Sequence, residues 1–153
     1  QVFQAYTGNI SSMITLTAII LSLAALSGAQ IITPYECHCG VFMSIPAGEI
    51  EVYHMQSAHV DGCGTPESEA ACMENCKNEW TGMYKNGDLN NELENGYTLG
   101  QELCLGAVEL FHPFIFNANG QVFSRNCEGN WEDIDMGTKQ PLCCTNGHYH
   151  ECG

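Results

Sequence analysis

Apolar and polar positions alternate in two neighbouring stretches. CHCGVFMSI at residues 37–45 alternates loosely and is rich in apolar side chains, which predicts a short strand ended by Pro46. IEVYHM at residues 50–55 alternates apolar with polar and predicts a second strand. The period then changes. Gly62, Gly64 and Pro66 punctuate a loop that holds Cys63, and Thr65-Pro66-Glu67 begins a helix. Thr65 is a capping residue, Pro66 fits the first helical position, and Glu67 and Glu69 favour the positive end of the helix dipole. The helix is expected to run to about Trp80, before Gly82. Cys72 and Cys76 stand at i and i+4, hence on one face, with Met73 and Trp80 covering the same side.

Residues 84–97 are polar and rich in asparagine and glycine, the pattern of a long surface loop. Thr98 and Gln101 have capping-box spacing and predict a short helix carrying Cys104. In PFIFNANGQVFS, the runs Phe114–Phe116 and Val122–Phe123 flank an Asn119-Gly120 turn signal. This predicts a hairpin whose Phe114, Phe116, Val122 and Phe123 join the core. Trp131 and an acidic loop of Glu132, Asp133 and Asp135 follow. Asn146-Gly147 is expected to turn the chain back toward Cys152.

The ten cysteines are Cys37, Cys39, Cys63, Cys72, Cys76, Cys104, Cys127, Cys143, Cys144 and Cys152. An even count this high implies a disulfide framework and an oxidising, extracellular compartment, with connectivity left open. Consecutive residues seldom offer the converging Cβ vectors that a bridge needs. Cys143 and Cys144 are therefore expected to reach two different parts of the chain and pin them to one point. The N-terminus agrees with secretion. The apolar run from Ile14 to Leu26 suits a signal peptide at 13–29, with Met13 as the start and cleavage after Ala29. Residues 1–12 then read as upstream sequence and 30–153 as one secreted cysteine-rich domain. The single N-glycosylation sequon, Asn9-Ile10-Ser11, precedes that domain.

A net charge of −14 comes from 18 acidic residues against Lys77, Lys85, Arg125 and Lys139. That balance opposes nucleic acid and anionic membrane surfaces, which need a basic patch. Cys37, Cys39, His38, His148 and His150 are the rival set of zinc ligands, but the chain has no CxxC knuckle. His54 and His59 lie five apart, and an extended tail places His148 and His150 on one side, where they could bind a metal or sense pH. DLNNELE resembles a calcium loop only superficially, lacking the glycine and glutamate of an EF-hand. Ser44, Ser57, Ser68 and Ser124 sit in no nucleophile elbow, and no HExxH occurs. No catalytic, cofactor-binding or metal-binding residue is therefore assigned, and no cofactor is expected.

The framework resembles the insect follicle cell protein 3C family of small secreted proteins. The matching pieces are CHCGVFMS at 37–44, the C-x8-C-x3-C run of Cys63, Cys72 and Cys76, and Leu103-Cys104. They continue with Asn126, Cys127 and Trp131 as NC-x3-W and with LCC…G…Y…C from Leu142 to Cys152. The chain departs from the family at AVELFHPF, where the family carries a further cysteine and more basic residues. The resemblance implies a secreted protein of eggshell or other matrix and transfers no catalytic residue. The expected fold is a small, loop-rich, disulfide-rich α+β domain with a short antiparallel sheet and one or two short helices. The expected function is that of a non-enzymatic structural or interaction protein, a monomer with an unknown protein or matrix partner. A venom or gland component is the alternative.

Overall fold

The alternating stretch near residue 40 becomes an interior strand of the larger of two sheets. A computed structural model describes residues 35–153, except 46, 47 and 111. The segments expected at 1–12 and 13–29, the sequon at Asn9 and the strand stop at Pro46 lie outside the described residues. Strand β1 (Glu36–Ile45) turns Cys37, Cys39, Val41 and Met43 to one side, all fully buried. It pairs antiparallel with β2 (Gly48–His54) and, at its start, with β3 (Ala58–His59). Along its other edge runs β5 (Gly120–Asn126), which pairs in turn with β6 (Glu132–Gly137).

Helix α1 (Pro66–Gly82) covers the buried face of β1 and β5. Its start is the one the sequence predicts. Thr65 accepts from the Ser68 backbone N–H, while the Ser68 hydroxyl accepts from the Thr65 N–H, both at 3.2 Å. Ser68, Cys72, Cys76 and Trp80 then form one buried stripe. Asn126 Nδ2 donates to Ser68 Oγ at 2.7 Å, and Trp80 Nε1 donates to the Gly137 carbonyl at 3.2 Å. Between these ends, Cys37 bonds to Cys72 and Cys39 to Cys76. The match is geometric. Two residues along a strand advance about 6.6 Å, and four along a helix about 6 Å.

Helix α2 (Leu99–Glu109) lies against β2 and against a second, three-stranded antiparallel sheet of β4 (Phe114–Ala118), β7 (Leu142–Thr145) and β8 (His148–His150). Thr98 caps it by accepting from the Gln101 N–H. Gln101 does not complete the expected box; its side chain instead donates to the Gly147 carbonyl and accepts from the Tyr149 N–H. A β-carbon on Gly106 would collide with the Val52 carbonyl, so this glycine lets the helix lie on β2. The Asn146-Gly147 turn forms as expected. Both residues have positive φ, 50° and 78°, the pairing that a two-residue hairpin of this kind requires.

The fold class is as expected, a small disulfide-rich α+β protein with antiparallel sheets and two helices. Several local expectations are corrected. The Asn119-Gly120 hairpin does not form, because β4 pairs with β7 and β5 with β1 and β6. The chain changes sheets there. Gly120 is needed for close packing, since a β-carbon would meet Thr138 Cγ2 at 2.9 Å and Val41 Cγ1 at 3.0 Å. Phe114 and Phe116 are 68% and 79% exposed, while Ile115 points inward opposite Cys144. Of the four expected core residues of that stretch, Val122 is buried and Phe123 half-buried. The expected acidic loop is strand β6, which turns only Ile134 fully inward. The 84–97 segment carries no helix or strand, yet Tyr84 and Leu89 are buried.

Candidate functional site

All ten cysteines are in disulfides. Beside the two α1–β1 bridges, Cys63 bonds to Cys127, Cys104 to Cys144, and Cys143 to Cys152. Successive residues of β7 face opposite sides. Cys144 therefore meets helix α2 while Cys143 holds the C-terminal tail, the two-way hub that the adjacent pair implied. Among the described residues, the one group of three or more Cys, His, Asp or Glu donors close enough to hold a metal is Cys37, Cys39 and Cys76. Each of these sulfurs is already in a disulfide, so none is available as a thiolate.

The histidines fall into separate groups. His59 stands exposed on β3. β8 makes the tail extended, with His148 and His150 exposed and Tyr149 half-buried between them. His150 Nε2 lies 3.1 Å from Thr145 Oγ1, and its Nδ1 lies 3.1 Å from the Glu151 carbonyl. His54 is brought not to His59 but to His38, with ring centroids 5.6 Å apart.

That meeting follows from an irregularity in the β1–β2 ladder. Val41 pairs with Tyr53 and Phe42 with Glu51, so one extra residue of β2, Val52, is inserted. In a regular strand, residues three apart face opposite sides. The bulge shifts the phase, so that Glu51 and His54 come to one face. His54 Nδ1 lies 2.8 Å from Glu51 Oε1. Gly40 leaves room for the carboxylate, since a β-carbon there would stand 3.0 Å from Glu51 Oε1. Farther along this face of β1, Phe42 packs on Phe123 and Trp131, and the Arg125 guanidinium lies 4.8 Å from the Trp131 ring centroid.

Ser57 joins the two imidazoles. Its Oγ is 3.4 Å from His54 Nε2 and 3.2 Å from His38 Nδ1. On the far side of His38, Nε2 faces Glu36 Oε2 at 3.8 Å. A carboxylate only accepts hydrogen bonds, so the His54 proton sits on Nδ1, and in the neutral ring Nε2 takes the Ser57 O–H. Ser57 in turn accepts from His38 Nδ1–H. The loop bearing Ser57 is tied at two points, by Met55 N–H to the Cys39 carbonyl at 2.8 Å and by Gln56 N–H to Glu79 Oε1 at 3.1 Å. Burial pushes the Glu79 carboxyl above its ordinary value, against hydrogen bonds from Gln56 and Tyr84 that favour the charged form. Burial and the Tyr53 hydroxyl likewise push the neighbouring Tyr84 well above the usual phenol range.

A shallow recess of about 210 Å³ opens beside Glu51 and His54, walled by Gly106, Glu109 and Leu110 of the α2 region. Sequence reasoning singled out His38, His54 and Ser57 separately but missed their association. The spacing of Glu51, His54 and Ser57, three residues apart each time, gives no common strand face, so the sequence carried no signal of it.

Five disulfides in a domain of this size define a small, stapled protein of extracellular type. No helix among the described residues is long and apolar enough to cross a membrane. No family model matches the chain, and neither a curated protein nor a solved structure matches it.

Proposed function

We propose that the chain is a secreted, non-enzymatic structural or interaction protein of an eggshell or another extracellular matrix, the role implied by the resemblance to the follicle cell protein 3C family. The observation that carries this reading is the disulfide frame. Bridges tie α1 to the larger sheet, α2 to the smaller one and the tail to β7, so that both sheets and both helices are covalently held. A matrix component outside the cell needs that persistence and needs no turnover chemistry. The acidic balance of −14 and the exposed Phe114 and Phe116 support a protein or matrix partner. The molecule meets that partner as a monomer.

In situ hybridisation across ovary, glands and gut, with immunostaining of the matrix fraction, tests the reading. Follicle-cell transcript and retained protein are expected. Transcript confined to an exocrine or venom gland would replace the matrix role with that of a gland component. Thiol titration of the native secreted protein is expected to find no free cysteine.

A further inference from the structure

We propose that His38 and His54 form a binding site for a divalent transition-metal ion, Cu²⁺ above Zn²⁺, with Ser57 at its centre and Glu51 and Glu36 behind the two rings. Imidazole is the commonest metal ligand among side chains, and with every cysteine oxidised the histidines carry this chemistry. The two rings aim at one point. His38 Nδ1 and His54 Nε2 converge on the same Ser57 oxygen from 3.2 and 3.4 Å. Metal–nitrogen bonds are about 2.0–2.1 Å long, so the rings must close by about 1 Å as the ion replaces the hydroxyl. One rotation about the Ser57 Cα–Cβ bond clears the point, and the His54 side chain is 49% exposed and free to follow.

The nitrogens facing away from Ser57 make the stronger case. A ligating imidazole usually gives its other N–H to a carboxylate, which fixes the tautomer and raises ligand basicity. His54 already does so through Glu51 at 2.8 Å. Its Nε2 lone pair is thereby directed at the centre. For His38 to ligate, its proton must move from Nδ1 to Nε2, and Glu36 Oε2, now 3.8 Å away on a half-exposed side chain, must close in to accept that N–H. The backbone that carries each ring is also held in place. Disulfides at Cys37 and Cys39 flank His38, while the β2 bulge and Gly40 set His54 and Glu51. Water completes the coordination on the open side, and the net charge of −14 draws cations toward the surface. Copper is preferred because divalent affinity at nitrogen sites peaks there.

The same atoms have the order of a nucleophile, base and orienting acid in Ser57, His54 and Glu51. That reading leaves His38 and Glu36 without a role, whereas the metal reading uses both imidazoles and both carboxylates. Cu²⁺ titration of the full secreted chain, followed by calorimetry and electron paramagnetic resonance, decides between them. One equivalent is expected to bind with a two-nitrogen superhyperfine pattern. H54A and H38A are expected to lose that pattern, and E51Q to weaken binding by about 10–100-fold with circular dichroism unchanged. H148A/H150A is expected to keep it. S57A is expected to bind as tightly or tighter. Binding that survives H54A, or that vanishes only in H148A/H150A, overturns the proposal, as does no binding at all. Covalent labelling of Ser57 by a fluorophosphonate, lost in H54A, would overturn it in favour of the nucleophile.

Discussion

The two sheets are stapled on opposite plans. On the larger sheet, alternate cysteines of β1 meet every fourth residue of α1, so two bridges lie side by side within the core and repeat one constraint. On the smaller sheet, adjacent cysteines of β7 diverge, one to α2 and one to the tail, and each imposes a constraint found nowhere else. The difference teaches that bridge number is a poor measure of bridge effect. A bridge stabilises chiefly through the loop it closes in the unfolded chain. Once Cys37–Cys72 exists, Cys39–Cys76 closes only a small ring running through it.

The largest expected effect comes from removing both parallel bridges. A Cys37, Cys39, Cys72 and Cys76 to serine variant should lose about 6 kcal/mol, enough to unfold a domain of ordinary stability. Either bridge removed alone should cost only about 2 kcal/mol, because its twin still closes the long loop. Urea melts of the three variants check this non-additivity, and equal additive losses would break the comparison. On the smaller sheet the two losses should be unequal. Removing Cys104–Cys144, with a sequence separation of 40, should cost about 4 kcal/mol. Removing Cys143–Cys152, with a separation of 9, should cost about 2.5 kcal/mol. If either variant secretes and melts like the parent, β7 is not a hub.

Helix α2 has one bridge where α1 has two, so its seating leans on packing. Gly106→Ala should force the helix off the Val52 carbonyl and cost about 1–3 kcal/mol, read as a lowered melting temperature. The smallest effect is on the doubly bridged helix. Burial holds the Glu79 pKa above its ordinary 4.5. A raised carboxyl contributes stability that is fully present below the unfolded-state value and lost as pH rises through the folded one. Glu79→Gln keeps an acceptor for the Gln56 N–H. It should match the parent in acid and exceed it at neutral pH by less than about 1 kcal/mol, since the group is partly solvated.

What the sequence disclosed was local. Thr65 and Pro66 announce α1, Thr98 announces α2, and Asn146-Gly147 makes its turn, because cap and turn chemistry is settled within a few residues. The Asn119-Gly120 signal failed for the opposite reason. Strand partners there are chosen by long-range pairing, Ile115 with Cys144 and Val122 with Val41, and that pairing sends Phe114 and Phe116 outward. Strand β6 was hidden because a single inward residue, Ile134, stands among acids. The histidine pair was hidden by phase, for only the inserted Val52 brings residues three apart to one face. A bulge has no signature that composition or periodicity reports.

Among the described residues, strand β6 is the outer strand of the larger sheet, with Glu132, Asp133 and Asp135 exposed beside an unpaired backbone edge. An unpaired edge is a template on which a second molecule can lay a strand, and like charges are a standard guard against it. Copies crowded together therefore repel one another along this margin. The guard is conditional, because salt screens it. Ionic strength, not a change of fold, then decides how closely two such edges can approach.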